Sequence, residues 1–62
     1  MTPNEIKAKA LIIGKQLEKQ HWYEYSASQA HTYCIDKAKA MGVSDPQELE
    51  AIALLAMHFV IG

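Results

Sequence analysis

Met41-Gly42-Val43-Ser44-Asp45-Pro46-Gln47-Glu48 is the stretch that decides the fold. Gly42 supplies the left-handed residue that ends a helix, and Val43 supplies the apolar partner of a Schellman stop. Asp45 then offers an acceptor to the next helix, Pro46 suits its first position, and Glu48 follows three residues after the acceptor. One helix stops and another starts within eight residues. A connection that short implies two antiparallel helices.

Downstream, the pattern predicts a helix over 46–61. Leu49, Ala53, Ala56 and Val60 form its core stripe, flanked by Ile52, Met57 and Phe59. The acidic residues Asp45, Glu48 and Glu50 cluster at its start, where the helix dipole favours negative charge. Upstream, Ser26-Ala27-Ser28-Gln29 is a capping box opening a helix over 27–41. Its apolar face is Ala27, Ala30, His31, Cys34, Ala38 and Met41, with Ile35 at the edge, and Ser28, Thr32, Asp36 and Lys39 lie opposite.

The same signals recur at the start of the chain. Thr2-Pro3-Asn4-Glu5 is a capping box with Pro at the first helical position, and Met1 and Ile6 are spaced as a staple across it. The first helix is expected over 3–20, with Ile6, Ala10, Ile13 and Leu17 on one face. Gly14 in its middle costs about 1 kcal/mol against Ala unless a neighbour packs close to it. His21-Trp22-Tyr23-Glu24-Tyr25 is a short aromatic connection. The fold class expected is all-α: one domain spanning 1–62, with helices over 3–20, 27–41 and 46–61 and the last two as an antiparallel hairpin.

Composition narrows the function classes. The chain has 62 residues, 6 basic and 7 acidic, a net charge of −1, and 50% hydrophobic residues. That is too apolar and too weakly charged for a disordered chain. All six basic residues are Lys, which argues against general nucleic-acid binding. The single cysteine cannot form a disulfide within the chain. The longest nearly apolar run, Ala51 to Ile61, falls short of the roughly 20 residues a membrane span needs. Met1 to Glu5 lacks the basic and apolar pattern of a secretory signal. The expectation is a cytoplasmic protein without enzymatic activity, cofactor or small-molecule substrate, since so short a chain has little left to build a shielded pocket.

One anomaly points toward function. Leu11, Ile12, Leu54, Leu55 and Ile61 fall outside any single buried stripe. A central third helix would cover Leu54 or Leu55, and the remaining surplus reads as an interface with a protein partner or another copy. The candidate contacts are Leu11, Ile12, Trp22, Leu54, Leu55 and Ile61. Trp22, Tyr23 and Tyr25 either offer an aromatic anchor or plug the end of the bundle. An alternative interface is the acidic group Asp45, Glu48 and Glu50, as in an inhibitor or immunity protein docked on a basic toxin.

Other constellations are weaker. His31 and Cys34, at i and i+3, are metal-capable but lie on the core stripe, where a free cysteine acts as a small hydrophobe. Ala38-x-x-x-Gly42-Val43-Ser44 resembles the turn of a helix-turn-helix DNA-binding motif. The following turn carries Asp45, Glu48 and Glu50, and no Lys or Arg occurs after Lys39, so phosphate would be repelled.

From Ala30 onward the chain reads Lys37-Ala38-Lys39-Ala40-Met41-Gly42-Val43, then Asp45-Pro46-Gln47-Glu48-Leu49, then a close on His58-Phe59-Val60-Ile61-Gly62. This half resembles the C-terminal helical hairpin of small uncharacterised bacterial proteins encoded near type VI secretion and Rhs-type effector toxins. The resemblance implies no catalytic residues. It implies an accessory role beside an effector, as an adaptor or chaperone-like partner.

Overall fold

The computed structural model describes residues 1–61, and Gly62 lies outside the described residues. Among the described residues there are three α-helices: α1 (Pro3–Glu18), α2 (Ala27–Ala40) and α3 (Pro46–Ile61). A 3-10 turn, Trp22–Glu24, joins the first two.

The local signals account for these boundaries. The Thr2 side chain accepts from the Glu5 backbone N–H at 3.2 Å. At α2 the capping box is reciprocal: Ser26 Oγ accepts from the Gln29 N–H at 3.1 Å, and Gln29 Oε1 accepts from the Ser26 N–H at 2.8 Å. The stop at Gly42 is a complete Schellman motif. Val43 N–H donates to Ala38 O at 3.2 Å, Gly42 N–H donates to Lys39 O at 3.0 Å, and Gly42 has φ +90°. Asp45 then caps α3 through the Glu48 N–H at 3.2 Å.

The first helix ends two residues earlier than its periodicity suggests. Lys19 and Gln20 N–H groups bond back to Gln16 and Leu17 carbonyls in tight turns. His21 then adopts a left-handed conformation, φ 52°, and this reversal brings Trp22 and Tyr25 against the core. The second helix likewise ends at Ala40, with Met41 as its C-cap.

α3 is the central helix. Met1 lies beside Glu48 at one end of the α1–α3 pair, and Gly14 lies against Ala56, Phe59 and Val60 near the other, so the two helices run in the same direction. α2 runs antiparallel to α3 and is tied to it by a 2.8 Å hydrogen bond between His31 Nε2 and Glu50 Oε2. Gly14 is where α1 comes closest: a Cβ there would sit 3.3 Å from the Ala56 carbonyl oxygen. The mid-helix glycine thus buys close approach between two backbones.

The core is small-residued. Its buried members are Ala10, Ile13, Leu17, Ala30, Cys34, Ala38, Val43, Leu49, Ile52, Ala53 and Ala56, five of them alanine. Side-chain bulk comes mainly from Ile13, Leu17 and Ile52, each fully buried. Burying each stabilises by about 1.5–3 kcal/mol relative to exposure.

Candidate functional site

The candidate site is the outward side of α3, with Leu11 and Ile12 exposed on α1. α3 packs against α1 and α2, which leaves its third side uncovered. Along that side Gln47, Ala51, Leu54, His58 and Ile61 are all exposed. Leu54 keeps 54% of its surface and Ile61 51%. From Ala51 to Ile61 this helix carries no Asp, Glu, Lys or Arg.

The residues singled out in the sequence separate into two groups. Leu11, Ile12, Leu54 and Ile61 are exposed. Leu55 and Trp22 are partly buried and pack against the core. The central position of α3 therefore covers Leu55 and leaves Leu54 open. Of the three aromatics in the connection, Trp22 and Tyr25 plug the bundle end, while Tyr23 stands 67% exposed. Tyr23 is held by a 2.8 Å hydrogen bond between its hydroxyl and His21 Nδ1 and by edge-on contact with the Trp22 ring.

Its spacing puts Phe59 beside the core, yet the residue is 39% exposed. Its Cβ would lie 3.5 Å from a Cβ on Gly14, at the α1–α3 crossing. The signal that could have found the site is the step of four, three, four, three through 47, 51, 54, 58 and 61, a heptad seam separate from the core stripe.

The acidic alternative looks different in three dimensions. Asp45 is occupied in capping α3. Glu48 pairs with the Met1 ammonium at 2.9 Å, and this hydrogen bond, followed by the Glu48 charge, holds that ammonium above its ordinary pKa. Glu50 is bonded to His31. Each carboxylate already has an internal partner, which reduces what it can offer a basic surface.

His31 and Cys34 do not converge on one point. His31 turns to Glu50, whereas Cys34 is buried, and burial pushes its thiol pKa up. A neutral, enclosed thiol is a poor nucleophile and a poor ligand. Among the described residues no group of three or more His, Cys, Asp or Glu side chains could hold a metal ion. An open groove of about 460 Å³ runs beside α2, lined by Tyr25, Ser28, Gln29, Thr32, Tyr33 and Asp36. Tyr33 stands 6.3 Å from Tyr25 between ring centroids, with the Lys37 ammonium 5.4 Å from the Tyr33 centroid. Desolvation, followed by the nearby Tyr25 and Cys34, pushes the Tyr33 pKa up.

No helix among the described residues is long and apolar enough to cross a membrane. No family model, curated protein or solved structure matches the chain.

Proposed function

We propose that this chain is a non-enzymatic protein-interaction module, joined to a protein partner or to copies of itself through the aliphatic side chains of α1 and α3. One observation carries the reading: small residues fill much of the core while several branched aliphatics stand outside it. Five of the eleven buried hydrophobic residues are alanine, while Leu11, Ile12, Leu54 and Ile61 remain 43–54% exposed. A chain under selection for folding alone gains by placing its branched aliphatics inside. A small domain has little stability to forgo, and exposed apolar surface of this kind marks association sites.

Two further features support a role without catalysis. The lone thiol is enclosed, and the groove beside α2 carries no histidine that could act as a base for its hydroxyls. The resemblance of residues 30–62 adds a setting, that of an accessory protein beside a secreted bacterial effector.

The test is a pair of charge substitutions, Ile12→Glu and Leu54→Glu, followed by circular dichroism and sedimentation velocity at low and high salt. Helix content is expected to stay at the wild-type level while association is lost. Wild-type association is expected to persist in high salt, because aliphatic docking is not screened. Loss of helix in either variant would place that side chain in the core and sink the reading. Association that disappears in salt would instead favour docking through Asp45, Glu48 and Glu50.

A further inference from the structure

We draw no further inference here: the strongest candidate, the exposed side of α3 that carries Leu54, His58 and Ile61, is an unpartnered helix face, and nothing in the structure shows what covers it.

Discussion

Replacing Gly14 tests the α1–α3 crossing on which the exposed face of α3 depends. In a helix interior Ala is about 1 kcal/mol better than Gly. At this position the added Cβ would lie 3.3 Å from the Ala56 carbonyl oxygen, 3.5 Å from Phe59 Cβ and 3.6 Å from Val60 Cγ2. The last two are ordinary contacts. The first is tight, and a backbone oxygen yields only if the helices move apart by a few tenths of an ångström. Gly14→Ala is therefore expected to remain within about 1 kcal/mol of wild type, the propensity gain offset by the shift. Gly14→Leu keeps the propensity gain but drives further carbons into Ala56, Phe59 and Val60, and overpacking costs about 1–3 kcal/mol. A 62-residue domain has roughly 3–9 kcal/mol in total, so the loss is readily measured. The assay is urea unfolding followed by circular dichroism, with Ala8→Gly on the exposed side of α1 as the propensity control. That control is expected to lose about 1 kcal/mol. Gly14→Leu as stable as wild type would mean that α1 and α3 do not meet at Gly14.

Further outcomes follow from the caps, the turn and the core. Ser26→Ala removes one half of the reciprocal cap and is expected to cost about 1 kcal/mol in the same unfolding assay. Gly42→Ala meets no steric neighbour, yet φ +90° strains any Cβ-bearing residue, so a loss of about 1–2 kcal/mol is expected, smaller for Gly42→Asn. The folded chain is expected to resist thiol reagents until denaturant opens it, as measured by the rate of Cys34 labelling. Stability should also fall with alkali. The unfolded thiol ionises near about pH 8.5 while the buried one stays protonated, so above that pH the unfolded state binds fewer protons and is favoured. Tyr33, raised in the same sense, extends the fall at higher pH. Cys34→Ala should flatten the first part of this decline in a series of melts across pH.

The helices were legible because their ends are marked by residues whose chemistry is local. Ser26 with Gln29, Gly42 with Val43, and Asp45 with Pro46 each satisfy or terminate their own backbone, and the structure uses all of them. The end of α1 was less legible. Its periodicity runs on, but the αL turn at His21, which returns Trp22 to the core, is a tertiary requirement with no glycine to announce it. The candidate site was legible in part. Leu11, Ile12, Leu54 and Ile61 fall off the core stripe by spacing alone. Which of Leu54 and Leu55 is covered depends on how α1 crosses α3, and that depends on the close approach at Gly14. Phe59 escaped for the same reason: at a crossing point a residue can begin at the core and end outside it.

The most direct test of the account is absolute mass by light scattering, for wild type and Leu54→Glu side by side, from about 10 µM to 1 mM, a range that detects self-association with a Kd inside it. The account predicts a wild-type mass rising toward twice the 6.9 kDa monomer, with Leu54→Glu monomeric and equally helical throughout. A dimer that Leu54→Glu leaves intact would contradict it, and a wild-type mass that stays at one chain across the series would rule out self-association and leave a separate protein partner as the occupant of this face.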